Sequence, residues 1–214
     1  MRLVRRTAFA LLLVPIVGRP ALAQGSQSAA EALPPPGYGS LKQDDLALRV
    51  RNNEIEVRFV PLDRRVTPLL ARDSYESLHG LVQSRRRAID SVASAAGISQ
   101  PGLALVTFFG QRPGARYDPQ TLTIVVRNRV YRPLGIVPFT PRFTSQQLEV
   151  REQVSALYLF EESIPVTDDF SISYGGLNSE SWSRKQPTLD RERARAASRA
   201  RAQRPDSAPA GPPR

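Results

Sequence analysis

The chain of 214 residues contains no cysteine and a single histidine, His79. Disulfides, iron–sulfur clusters, cysteine nucleophiles and the common zinc sites all need thiols or several histidines, so these residues cannot build them. The sequence also lacks a Gly-x-Ser-x-Gly elbow, a Ser-x-x-Lys motif and a glycine-rich phosphate loop. We therefore expect no cofactor and favour a non-enzymatic role over an enzymatic one.

The first residues have the organisation of a secretory signal. Three arginines lie within the first six residues, ten apolar residues follow at 8–17, and Ala21-Leu22-Ala23 forms a small-x-small cleavage site. A membrane-spanning helix needs about 20 apolar residues, which is far more than this run supplies. We expect residues 1–23 to be a cleaved signal peptide, the protein to be exported to the periplasm or the extracellular space, and the mature chain to have no transmembrane segment.

Composition divides the remaining chain into three parts. Residues 24–40 are rich in Gly, Ser, Gln, Ala and Pro, which predicts a disordered linker. Residues 41–182 carry 17 basic and 16 acidic side chains, a net charge of +1, and should form the folded domain. Residues 183–214 are rich in Arg, Ala and Pro and have no large apolar residue after Leu189, so we expect a flexible basic tail that adds little stability. Because the positive charge is not concentrated on the domain, the formal charge of +10 does not predict specific binding to nucleic acid.

A hairpin is predicted near the start of the domain. Apolar residues alternate with polar ones from Leu46 to Phe59, and Asn52-Asn53 lies between the two runs. If the two asparagines form the turn, Leu48 faces Val57 and all the apolar side chains share one face.

One amphipathic helix is predicted between residues 73 and 96. Asp73 and Glu76 resemble a capping box, apolar residues then recur every three or four positions, and Gly97 supplies the end. His79 lies on or beside the apolar face, where we expect it to pack at the edge of the core rather than to act in catalysis.

Short β-rich segments make up the rest of the domain. They lie at residues 103–109, 122–126, 148–150, 154–160 and 170–174, and the prolines between 133 and 141 suit only edge strands or extended loops. The sequence therefore predicts a mainly β, α+β domain: an antiparallel β-sandwich-like arrangement of about seven to nine short strands with one packed amphipathic helix and disordered tails.

Three groups of side chains are candidate sites. The first group mixes basic and aromatic residues and could bind an acidic glycan or a phosphate, or it is a strand with a basic exposed face whose Val126 and Val130 point the other way; its members are Arg127, Arg129, Tyr131 and Arg132. The second group could share a calcium ion or act as acid and base in glycoside cleavage, although solvated acids at strand ends explain it as well; its members are Glu161, Glu162, Asp168 and Asp169. The third group could attract an anionic surface; its members are Arg191, Arg193, Arg195, Arg199 and Arg201.

Three functions remain open from the sequence. The leading hypothesis is an exported, non-enzymatic β-sandwich-like module that binds an envelope protein or polymer or acts as a structural accessory. The second is a small secreted hydrolase that uses the acids near residues 161–169. The third is attachment to an anionic surface through the basic C-terminal tail.

Overall fold

The computed structural model describes residues 33–127 and 129–203. Within these residues there are eleven strands and three α-helices. The helices are α1 (Arg72–Ser84), α2 (Arg86–Ala95) and α3 (Gln186–Ala202). The strands are β1 (Leu48–Arg51), β2 (Ile55–Pro61), β3 (Gly102–Gly110), β4 (Ala115–Arg116), β5 (Thr123–Val126), β6 (Arg129–Tyr131), β7 (Gly135–Pro138), β8 (Gln147–Leu148), β9 (Gln153–Phe160), β10 (Ser171–Tyr174) and β11 (Leu177–Asn178).

Two antiparallel sheets pack face to face around the main core. One has the order β1-β2-β3-β9-β7 and the other the order β11-β10-β5-β6, while β4 and β8 form a separate pair. Aromatic rings join the two inner faces: Phe59 lies 6.4 Å from Phe170, and Phe108 lies 5.7 Å from Tyr174, both edge to face. The predicted mainly β, sandwich-like fold is confirmed. The strand count exceeds the prediction because β4, β8 and β11 are only two residues long.

The first hairpin forms with the predicted apolar face but in a different register. Leu48 pairs with Phe59 and Val50 pairs with Val57, so residues 53 and 54 form the turn. All four side chains are buried. Moving the turn by one residue changes each pairing by two, and because side chains alternate with a period of two, the inward face is preserved.

Local hydrogen bonds explain where the turn forms. The Asn52 side-chain oxygen accepts from the backbone N–H groups of Glu54 at 2.8 Å and Ile55 at 2.7 Å. Asparagine often makes such a turn with its own following backbone, which fixes Asn52 before the turn rather than inside it. As a result Arg49 lies opposite Arg58 instead of the predicted Glu56.

The single predicted helix is two helices, α1 and α2, with a break at Arg85. The predicted capping box is absent, since α1 has no side-chain cap and Glu76 pairs instead with Arg72 at 2.8 Å. The predicted end is correct: Gly97 adopts a φ of 71° after α2. At the break Arg85 donates to the carbonyl of Phe139 at 2.7 Å, which ties the helix junction to the chain leaving β7.

The prediction of a flexible tail from residue 183 is wrong for residues 186–202, which form α3. One face of α3 is buried, with Leu189 only 1% exposed and with Ala196 and Ala200 also inside. The sequence argument required large apolar residues for docking. Small alanines bury little area themselves, but they let the helix backbone approach its neighbours closely.

A buried polar network completes the contact of α3. The Glu192 carboxylate, 3% exposed, accepts from the Ser40 hydroxyl at 2.9 Å and from the Arg199 guanidinium at 3.0 and 3.1 Å. Arg199 also donates to the carbonyl of Tyr38. Tyr38 and Ser40, which belong to the predicted disordered linker, are therefore ordered against α3. The predicted signal peptide, residues 24–32 and residues 204–214 lie outside the described residues. Among the described residues, no helix is both long enough and apolar enough to cross a bilayer.

Candidate functional site

The outer face of the five-stranded sheet, which points away from the four-stranded sheet, has an apolar half. Leu103, Leu157 and Leu159 project from it and pack against Ile89 of α2. At Gly135 the contact is so close that a Cβ atom would lie 2.2 Å from a methyl carbon of Val92. Helix α2 therefore covers most of this half.

The other half of the outer face, the polar half, is not packed against α2 but is only partly exposed, since Thr107 at its centre is 8% exposed and Asp44 of the short turn Gln43–Leu46 bonds to Arg58. Its central row runs across four strands, because Arg49 pairs with Arg58, Arg58 with Thr107, and Thr107 with Ser155. The hydroxyl groups of Thr107 and Ser155 are 2.8 Å apart. The next row outward contains the half-buried ring of Phe109, which lies between Glu56 and Gln153. With strands about 4.8 Å apart, each row is about 14 Å wide.

Ion pairs hold the two arginines of the central row in place. The Asp44 carboxylate accepts from Arg58 at 2.7 Å and from Arg49 at 3.1 Å, and Glu56 lies 3.8 Å from Arg49. Opposite charges on both sides relieve the repulsion between the paired arginines. The Nε atom of Arg58 is buried and has no hydrogen-bond partner in the described residues.

A groove of about 350 Å³ runs beside α1 at the edge of the polar half; we call it the helix-side groove. Leu105 forms part of its floor, with Leu81 of α1 on one wall and Phe139 on the other, and hydroxyl and amide side chains line its rim. The lining residues are Gln43, Ser77, Leu78, Leu81, Leu105, Phe139, Thr140, Gln153, Val154 and Ser155. An apolar floor with a few hydrogen-bonding groups is the usual composition of a ligand site.

A second, polar cleft of about 340 Å³ lies at the end of the sheet, between the chain after β2 and the start of β3. Its Arg65 is already engaged, since Asp63 accepts from its Nε and Nη2 atoms at 2.7 and 2.8 Å and the Ile164 carbonyl accepts at 2.7 Å. These hydrogen bonds with Asp63 raise the pKa of Arg65 above its usual value. Arg65 thus holds the loop before β10 in place and has little capacity left for a ligand.

Two of the four acidic residues predicted as a calcium or hydrolase site, Glu162 and Asp169, bind separate partners. Glu162 lies 3.7 Å from Arg129. Asp169 accepts from the Ser181 hydroxyl and from the Ser183 backbone N–H, and these bonds lower its pKa. In the described residues no group of three or more His, Asp or Glu side chains is placed to hold a metal ion. Glu162 and Asp169 are thus held by different parts of the chain.

The basic group around β6 lies on a hairpin at the edge of the four-stranded sheet. Arg129 pairs with Val126, and its guanidinium lies 4.9 Å from the centre of the Tyr131 ring. The expected division of faces is wrong: Val130 is 59% exposed, whereas Val126 and Tyr131 pack against the core. The reason is the register, which pairs Tyr131 with the buried Ile124 and so places Val130 on the solvent side.

The arginines of α3 differ in whether they are bonded to other groups of the protein. Arg193 pairs with Asp190 at 2.6 Å, and Arg199 belongs to the buried network. Arg191 donates to the Pro187 carbonyl at 3.0 Å. Only Arg195 and Arg201 of the five project into solvent without a partner among the described residues.

His79 lies on the exposed side of α1. Its ring stacks on Tyr75 at 5.8 Å. It also borders a small hollow of about 130 Å³ beside Leu62 and Val82. No described carboxylate pairs with it, so it has no triad geometry.

Sequence reasoning missed the central row and the helix-side groove. The alternation predicted that Arg49 and Glu56 share an outer face, but nothing in the sequence indicates that Thr107 and Ser155, 48 residues apart, extend that row. No family model matches the chain, and neither the curated proteins nor the solved structures contain a match.

Proposed function

We propose that this protein is an exported, non-enzymatic binding module for an envelope protein or polymer, and that its binding surface is the polar half together with the helix-side groove. The observation that carries the proposal is the division of one sheet face into an apolar half that α2 largely covers and a partly exposed polar half, with a groove beside it. The proposed export is supported by the signal-like sequence of residues 1–23.

The chemistry of the polar half suits an extended ligand of little net charge. Its arginines are balanced by Asp44 and Glu56, and its other groups are hydroxyls, an amide and the ring of Phe109. Ion pairs fix Arg49 and Arg58 before any ligand arrives, which lowers the entropy lost on binding. A row about 14 Å wide can accommodate several units of an extended chain.

The proposal of a non-enzymatic role is supported by the separate partners of the predicted acidic residues. Glycoside cleavage needs two carboxyl groups that flank the reacting bond, about 5–9.5 Å apart. Glu162 and Asp169 are instead engaged with Arg129 and with the chain at Ser181 and Ser183.

Site-specific photo-crosslinking in cells tests the proposal. A photoreactive phenylalanine analogue replaces Ser77, which lines the groove, and in a matched control it replaces Ser94, an exposed serine on α2. We expect adducts from position 77 only: a discrete band identifies a protein partner and a smear identifies a polymer.

The readout is specific because both serines are exposed on neighbouring helices of the same protein. Equal adduct patterns from the two positions, or no adduct at position 77 in folded, exported protein, would contradict the proposal.

A further inference from the structure

The β5–β6 hairpin concentrates positive charge that the described acids neutralise poorly. Arg127 and Arg132 are exposed and have no ion pair among the described residues. Arg129 is 70% exposed, and its one acidic neighbour, Glu162, lies 3.7 Å away and is itself 57% exposed. A pair of this length at the surface contributes little, so Arg129 remains available to a stronger anion.

The same hairpin also exposes a large apolar side chain, on the face of β6 opposite to Arg129. Val130 is 59% exposed. It is one of five large apolar side chains that the described chain exposes. Val130 points away from the sandwich core, because its cross-strand partner Val125 lies on the outer face of the four-stranded sheet.

We infer that the β5–β6 hairpin is a second interaction surface and that its partner is an anionic lipid surface. Peripheral membrane binding combines attraction between basic side chains and acidic headgroups with shallow insertion of apolar groups. Arg127, Arg129 and Arg132 lie around the open edge of the sheet at β6 and supply the first part, and Val130, which projects from the outer face at that edge, supplies the second. This surface lies on the other sheet and does not depend on the proposed function.

The exposed apolar side chain favours an anionic lipid surface over a soluble polyanion as the partner. A free phosphate or an acidic glycan would engage the arginines but would leave Val130 in water, whereas the headgroup boundary of a bilayer accommodates both. Short edge strands that carry charge also resist pairing with another strand, so the open edge of the three-residue β6 is a poor site for adding a peptide strand.

The C-terminal arginines are the natural comparison, since their sequence also predicted anionic binding. Arg193 and Arg199 are held by Asp190 and Glu192. None of the exposed large apolar side chains of the described residues lies on α3. Helix α3 therefore offers basic side chains to an anionic surface but no exposed large apolar side chain that could insert into a bilayer.

Vesicle co-sedimentation of the full mature chain tests the inference with charge-matched variants. One variant carries Arg127→Ser, Arg129→Ser and Arg132→Ser, and the other carries the same change at Arg191, Arg195 and Arg201. The probes are vesicles of mixed phosphatidylglycerol and phosphatidylcholine, vesicles of phosphatidylcholine alone, and soluble tripolyphosphate as a competitor.

We expect the wild type to bind the anionic vesicles at low salt and to release them at high salt. Three lost arginines should weaken binding by about a hundredfold in the hairpin variant, and the α3 variant should lose less than about fivefold. Val130→Ser should weaken vesicle binding without changing tripolyphosphate binding.

Several results would overturn the inference. These are no binding of wild type to the anionic vesicles, an equal or larger loss in the α3 variant, or full retention in the hairpin variant. Unchanged vesicle binding by Val130→Ser, with complete displacement by tripolyphosphate, would show a phosphate site instead of a lipid surface. Near-ultraviolet circular dichroism of the buried Trp182 verifies that each variant is folded.

Discussion

Replacing Arg199 by alanine should destabilise the protein far more than the same replacement of an exposed arginine on a helix normally does. In the native structure Arg199 makes two hydrogen bonds to the Glu192 carboxylate, at 3.0 and 3.1 Å, and a third bond to the Tyr38 carbonyl. The carboxylate is 3% exposed, and the Ser40 hydroxyl is its other described partner. Arg199→Ala therefore leaves a buried charge almost uncompensated.

The magnitude follows from the burial of the two partners. Removing one member of a buried ion pair costs about 3–5 kcal/mol, because the other charge loses its compensation. The Arg199 side chain is 40% exposed, so water can enter where it stood and lower the cost to about 2–3 kcal/mol. With a urea dependence of about 2 kcal/mol per molar, the unfolding midpoint should fall by about 1–1.5 M.

Urea denaturation followed by Trp182 fluorescence measures this change, and Arg195→Ala is the matched control. Arg195 is exposed on the same helix, and its loss should change stability by less than about 0.5 kcal/mol. Adding Glu192→Gln to Arg199→Ala should recover part of the loss, because a neutral amide is less costly to bury than a carboxylate. Equal midpoints for Arg199→Ala and Arg195→Ala would show that α3 is not docked through this network.

Three other predictions concern the core and the pH dependence of stability. Val57→Ala should destabilise the domain by about 1–3 kcal/mol and Arg49→Ala by less than about 1, as measured by the same denaturation; the reverse order would contradict the assigned face. Hydrogen bonds from Ser181 lower the pKa of Asp169 in the folded state, so the stability that this carboxylate contributes is present above about pH 4 and is lost as the pH falls further. Asp169→Asn should therefore make the free energy of unfolding depend less on pH in this acid range. An unchanged pH dependence would show that Asp169 contributes nothing. Burial raises the pKa of Tyr117 to about 12, so an absorbance titration should show fewer phenolates at pH 10–11 in folded than in urea-unfolded protein, and stability should fall as the pH rises above about 10.

The structure agrees with the predictions that rested on a local, periodic pattern of residues. Alternation defined the buried face of the first hairpin even though the register was wrong, because a shift of two residues leaves Leu48 and Val57 on the same side. The prolines between 133 and 141 correctly indicated an edge strand, and β7 is the last strand of its sheet. In contrast, the hydrogen bonds of the Asn52 side chain set the position of the turn, and a periodic pattern carries no information about that position.

The candidate sites were less predictable because they depend on distant partners. The acids at 162 and 169 looked like neighbours in sequence, but each is engaged by a different part of the chain. The docking of α3 rests on alanines and on a buried carboxylate whose partners include Ser40, 152 residues away. Composition counts large apolar residues and therefore missed it.

The sequence by itself determined the excluded chemistry, the antiparallel β class and the inward faces of the longer strands, since these follow from residue types and from the period of two. Only the tertiary structure decided which half of the outer sheet face the helices cover, where Thr107 meets Ser155, and which arginines remain free. Those properties arise when side chains far apart in the chain compete for the same partners, and the outcome depends on distances that exist only after the sheets have packed.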